Sequence, residues 1–135
     1  LLRRFYEAKL NGEGSVTVWG SGSPLREFMY VNDLAKAIEF LIRVPRETFF
    51  QTAGPNTSHI NVGSGVEMSI TGLAEMMAET VGYTGKIVFD LSKPDGTPRK
   101  IMDSSLMASL GWNESTEMSV GLSQSLNDMK AQLYE

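Results

Sequence analysis

Short runs rich in β-branched residues alternate along this chain with stretches whose apolar residues recur at helical spacing. That alternation indicates a mixed α/β or α+β domain. "SVTVW" (15–19), "REFMYV" (26–31), "HINVGSG" (59–65) and "KIVFD" (86–90) read as strands. Leu1, Leu2, Phe5 and Leu10 set a helical stripe that "NGEG" stops. A second helix carries Leu34, Ala37, Ile38 and Leu41, with Asn32 or Asp33 as its cap. Ser69 caps a third, buried through Ile70, Leu73, Met77 and Val81 and closed by Gly82. "SSLMASLGW" is a short helix ended by Gly111, and the last helix starts near Ser119 and buries Leu122, Leu126, Met129 and Leu133. "PRETFFQTAGPNTSH" and "LSKPDGTPRKIMD" read as loops.

A length of 135 residues suits one domain with a real core, and 41% hydrophobic against 21% charged residues describes an ordinary globular chain. The net charge of -4 argues against non-specific nucleic-acid binding. With no cysteine there is no disulfide, thiolate metal site or thiol nucleophile, which suits a reducing cytoplasm. No apolar run is long enough to span a membrane. The chain begins at "LLRRFYEAKL", already inside a helical pattern, and reads as a fragment of a longer protein.

The chemistry-bearing stretch is "VTVWGSGSPLREFMYVNDLAKAI" (16–38). Gly20 and Gly22 admit close backbone approaches, Trp19 offers a flat surface, and Arg26 can fork two hydrogen bonds onto a diphosphate. The same residues also describe an ordinary turn with a core Trp and a solvated Arg. In "SKPDGTPRK" (92–100), Asp95 can accept from sugar hydroxyls while Arg99 or Lys100 faces phosphate, unless the loop is simply solvated. Arg3 and Arg4 point to different sides of a helix, so at most one serves a given site. His59, the only histidine, has neither a nucleophile partner nor fellow metal ligands and reads as structural. No Tyr is followed four residues later by Lys, so catalytic residues are not expected in this stretch.

Taken in order, "VTVWGSGSPLREFMYVNDLAKAI", "HINVGSG", "KIVFDLSKPDGTPRKIMD" and "LGW" resemble the C-terminal part of the GDP-L-fucose synthases. These are NADPH-dependent GDP-4-keto-6-deoxy-D-mannose 3,5-epimerase-4-reductases of the extended short-chain dehydrogenase/reductase class. The resemblance covers nearly the whole chain. "WGSG.P.REF" and "SKPDGTPRK" are its discriminating pieces, whereas "V-x-D-L-A" and "LGW" are shared with other nucleotide-sugar epimerases and dehydratases.

The resemblance implies that residues 1–135 form one nucleotide-sugar-binding domain, with the Rossmann core and its catalytic Ser, Tyr and Lys lying before Leu1. It implies substrate contacts at Arg4, Trp19, Arg26 and Asp95, with Lys100 a further candidate, and no metal. NADP falls mainly to the preceding part, and the fragment alone is expected to be inactive. GDP-4-keto-6-deoxy-D-mannose and GDP-L-fucose are the implied ligands, in a cytoplasmic, homodimeric whole enzyme with no nucleic-acid or membrane partner. The alternatives are the substrate domain of another nucleotide-sugar epimerase or dehydratase, and a binding module without catalysis.

Overall fold

The computed structural model describes residues 1–133. The elements in chain order are α1 (Leu2–Leu10), β1 (Ser15–Trp19), β2 (Leu25–Glu27), α2 (Val31–Arg43), α3 (Arg46–Ala53) and β3 (Glu67–Ser69). They continue with α4 (Ile70–Val81), β4 (Lys86–Asp90), β5 (Arg99–Lys100), α5 (Ser105–Ser109) and α6 (Met118–Leu133). The mixed α/β architecture expected from the alternation is present. The residues divide into two compact units.

The first unit comprises Leu1–Arg26, Met68–Lys100 and the chain from Glu117 onward. Strands β1 and β4 pair in parallel, from Ser15 opposite Lys86 to Trp19 opposite Asp90. Along β1, Val16 and Val18 are buried while Ser15, Thr17 and Trp19 face out, the period of two expected of a half-buried strand. Phe5 and Ala8 of α1, Ala74, Ala78 and Val81 of α4, and Leu126 of α6 close over the inner face. Phe5 is fully buried, its ring 5.6 Å from that of Tyr83. The Tyr83 hydroxyl leaves the core to donate to the Glu13 carbonyl at 2.9 Å, so this ring's polar end is satisfied.

Helix α4 is bounded as its sequence predicts. The Ser69 hydroxyl accepts from the Gly72 N–H at 3.0 Å, and Gly82 ends the helix in the left-handed region. The Lys9 ammonium donates to the Val81 carbonyl at 2.7 Å, placing a positive charge at the negative end of the helix. A second sheet has the order β3-β2-β5. Its β2–β5 pair is parallel, with Leu25 opposite Arg99 and Arg26 opposite Lys100.

The second unit comprises Glu27–Glu67 and Ile101–Thr116. Its core is Ala37, Met107 and Trp112, packed with Phe40, Leu41, Ile60 and Val62. Two carboxylates tie its loops. Asp33, 2% exposed, accepts from the Thr116 N–H at 2.6 Å and the Thr116 hydroxyl at 2.8 Å. Glu27 accepts from the N–H groups of Gly65 and Met102 at 2.6 and 3.1 Å.

Several local expectations are corrected. The second strand stops at Glu27, and Tyr30, not Asn32 or Asp33, occupies the cap of α2. Asp33 satisfies Thr116 instead of its own helix terminus. Leu34 and Ile38 are exposed, because α2 buries Asp33 and Ala37 and packs Phe40 and Leu41. Leu10 and Leu133 are likewise exposed at helix ends. Residues 46–53, read as loop, form α3 between Pro45 and Gly54, steadied by Arg46 over the Phe50 ring at 5.4 Å. Residues 59–65 form no strand; Ile60 and Val62 pack on the second core while the backbone joins no ladder. Within the segment read as a long loop, Arg99 and Lys100 form β5.

Candidate functional site

The two motif loops of the first unit lie along one another, contact by contact. The Lys93 ammonium stands 5.5 Å from the centroid of the Trp19 ring. The Ser21 N–H donates to Asp95 Oδ1 at 2.8 Å, and the Ser21 hydroxyl to Asp95 Oδ2 at 2.6 Å. The Leu25 N–H donates to the Pro98 carbonyl at 2.9 Å, leading into the β2–β5 ladder. Residues 19–26 and 93–100 therefore make one continuous surface.

Two glycines let the loops of this surface approach closely. Gly20 has φ of 82°, and a Cβ there would collide with the Asp95 carboxylate. At Gly96 a Cβ would lie 2.9 Å from Arg26 Nη2, so glycine lets the guanidinium rest against the loop backbone. Arg26 is held from the other side too, its Nη1 donating to the Leu25 carbonyl at 2.7 Å.

Electrostatics divides the surface into an acceptor end and a cationic end. The Ser21 hydroxyl, and secondarily the Ser21 N–H, hold the Asp95 carboxyl below its ordinary value, so it is ionised at neutral pH. Each Asp95 oxygen has a lone pair beyond the one that Ser21 occupies, available to a hydroxyl or N–H donor. At the other end Arg26 and Lys100 occupy paired positions of adjacent strands. An anion between them would have two positive partners. Trp19, at the end of β1, is 69% exposed, so its indole is available for stacking and is not a core residue.

Four of the five expected ligand residues, Trp19, Arg26, Asp95 and Lys100, thus come onto one surface although two segments far apart in sequence supply them. Arg4 does not join their contacts. Its Nη2 donates to the Thr17 carbonyl of β1 at 2.6 Å, and it lines a separate open groove of about 520 Å³ with Glu7, Asn11, Glu13 and Thr17. Arg3 is engaged by Glu7 at 2.8 Å, so the two arginines do part company. His59 lies in the second unit with the Ser58 hydroxyl 3.4 Å from its Nδ1. Among the described residues no group of three or more His, Cys, Asp or Glu could hold a metal ion, and no helix is long and apolar enough to cross a membrane. The sequence reading missed Ser21, Lys93 and Gly96. The only signal for Ser21 was its place between two glycines, and nothing local pointed to the other two.

Residues 1–63, which carry Arg4, Trp19 and Arg26, match the family model described as the NAD dependent epimerase/dehydratase family. GDP-L-fucose synthase 1 of Arabidopsis thaliana is 52% identical over 92% of this chain. The chain is thus similar to that family over residues 1–63 and to GDP-L-fucose synthase over most of its length. GDP-L-fucose synthase of Escherichia coli is another relative within this range, 47% identical over 90% of the chain. The chain spans only about a third of the length of these curated relatives, 36% and 38% of them respectively. A solved structure titled GDP-mannoheptose C4 reductase from Campylobacter jejuni with NADP bound is 28% identical, with a TM-score of 0.76. That match covers 96% of this chain and 45% of the other.

Proposed function

We propose that residues 1–135 are the nucleotide-sugar-binding domain of a longer NADPH-dependent enzyme that converts GDP-4-keto-6-deoxy-D-mannose to GDP-L-fucose. The observation that carries this reading is the convergence of Trp19, Arg26, Asp95 and Lys100 along the two loops held together by Ser21 and Asp95. In this reading Arg26 and Lys100 hold the diphosphate, Trp19 packs against the nucleotide, and Asp95 accepts from a hydroxyl of the ligand. Arg4, on α1 and bonded to the Thr17 carbonyl of β1, is a further ligand contact in this reading. Two relatives named GDP-L-fucose synthase and a structural relative named as a GDP-sugar C4 reductase support the GDP-sugar and the chemistry.

The glycine turns of this chain do not fit a dinucleotide cradle. The turn at Gly20 and Gly22 leads into β2, and that at Gly63 and Gly65 leads into β3. Neither opens a helix whose N-terminus could take a pyrophosphate. NADP therefore belongs to the part of the longer enzyme outside these residues, together with the epimerisation at C3 and C5 and the hydride transfer to C4. That enzyme is cytoplasmic and a homodimer in this reading.

The test is NADPH consumption by the full-length protein that carries this chain. Oxidation of NADPH with GDP-4-keto-6-deoxy-D-mannose, yielding GDP-L-fucose, is the expected result. Turnover of a UDP-sugar with none of the GDP-sugar would assign the chain to another nucleotide-sugar enzyme. Binding of GDP-L-fucose without turnover would make it a binding module.

A further inference from the structure

Ser21 lies between Gly20 and Gly22, and its single hydroxyl proton fixes the direction of a small network. Ionised Asp95 can only accept, so at 2.6 Å the Ser21 hydroxyl must donate to its Oδ2. The 2.7 Å bond between the Ser21 and Ser23 hydroxyls then runs from Ser23 to Ser21, and the Ser23 N–H donates to the same oxygen at 3.1 Å. Every proton in the chain Ser23 to Ser21 to Asp95 points toward the carboxylate. Ser23, exposed, has its proton engaged and offers outward only lone pairs. Asp95 offers only lone pairs as well.

We infer that Ser21 is a positioning residue that sets specificity: it anchors both Asp95 oxygens and orients the network so that Ser23 and Asp95 together present acceptors alone, selecting a ligand that offers a hydroxyl donor there. The inference rests on the nucleotide-sugar reading above and adds to it the residue that holds Asp95 in place. Asp95 has two donors from one residue across 74 positions of sequence, and it is an exposed side chain that would otherwise sample several rotamers. Replacing Ser21 by Ala removes one anchor and frees the Ser23 proton to point outward, so the Ser23–Asp95 end both loosens and loses its uniform acceptor character.

The experiment titrates GDP-L-fucose and NADPH separately into the full-length protein and its Ser21→Ala, Ser21→Cys and Ser21→Thr variants, with thermal melts of each. Ser21→Ala is expected to weaken GDP-L-fucose roughly tenfold, the scale of one hydrogen bond to a charged group. Ser21→Cys, similar in size but a weak donor, tests the same contact if the Ala variant does not fold and is expected to lose about as much. Ser21→Thr keeps the hydroxyl and is expected to restore most of the affinity. NADPH affinity should stay unchanged throughout, which a general structural defect would not allow. If wild-type protein binds GDP-L-fucose and Ser21→Ala and Ser21→Cys bind it equally well, the inference about Ser21 is wrong and the functional reading stands. If wild-type protein does not bind GDP-L-fucose, the functional reading fails and takes the inference with it.

Discussion

Arg26 stands opposite Lys100 in the parallel β2–β5 ladder, so two cationic side chains occupy neighbouring positions of one sheet. Both side chains are cationic, so an anion bound between them would meet two positive partners. The surrounding structure maintains this pairing: the Leu25 carbonyl accepts from Arg26 at 2.7 Å, and Gly96 leaves room for the guanidinium.

If the diphosphate bridges this pair, Arg26→Ala in the full-length protein should cost on the order of 2–4 kcal/mol of GDP-sugar binding. Arg26→Lys should recover only part, because an ammonium cannot reproduce the planar two-pronged contact. NADPH affinity should not move. Calorimetric titration reads both ligands, and an unchanged GDP-sugar affinity in Arg26→Ala would reduce Arg26 to a turn residue.

Gly96→Ala tests the same contact without touching a charge. The added methyl would lie 2.9 Å from Arg26 Nη2, the far end of a flexible side chain, so the guanidinium should swing away at little cost to stability. GDP-sugar affinity should fall while the melting temperature stays close to wild type. A large loss of stability with unchanged affinity would contradict this.

Phe5 is fully buried between α1 and the Tyr83 ring, so Phe5→Ala should destabilise the protein by about 3–5 kcal/mol. Denaturant unfolding with an unchanged slope measures it. A loss under about 1 kcal/mol, the size of an exposed substitution, would contradict the burial of this ring.

The Asp95 carboxyl is held below its ordinary value first by the Ser21 hydroxyl and then by the Ser21 N–H. A depressed folded value means that the contact is at full strength above the ordinary carboxylate range and is lost as pH falls through the lowered value. Carboxyl-carbon chemical shifts followed against pH should place the Asp95 midpoint below that of a free aspartate, and Ser21→Ala should raise it. Coincident midpoints in the two proteins would contradict the hydrogen bonds to Ser21.

Where signals are local, the sequence reads well. Ser69 and Gly82 bracket α4 because cap and stop chemistry depend only on neighbouring residues. Helix α3 escaped the reading because Pro45 and Gly54 bound a helix of only eight residues, and such punctuation resembles a loop. Asp33 looked like a cap because an Asp before an apolar run usually is one, yet its partner Thr116 lies 83 residues away. Residues 59–65 show that an apolar, β-rich stretch becomes a strand only where a neighbour pairs with it. The candidate site divides along the same line. Residue types make Trp19, Arg26, Asp95 and Lys100 candidate ligand groups, and the resemblance selects them. The partnerships of Trp19 with Lys93 and Ser21 with Asp95 cross 74 positions each and exist only once the loops meet.

The central claim is that this surface binds a guanine nucleotide sugar with Trp19 against it. The most direct measurement is tryptophan fluorescence of the full-length protein during titration with GDP-L-fucose, in wild type and in Trp19→Phe. Trp19 is 69% exposed whereas Trp112, the other tryptophan of this chain, is 8% exposed in the second core, so ligand should perturb the first. The account predicts a saturable change on binding that largely disappears in Trp19→Phe and that UDP at equal concentration reproduces poorly. A change fully retained in Trp19→Phe, or displacement of GDP-L-fucose by UDP with equal affinity, would contradict it.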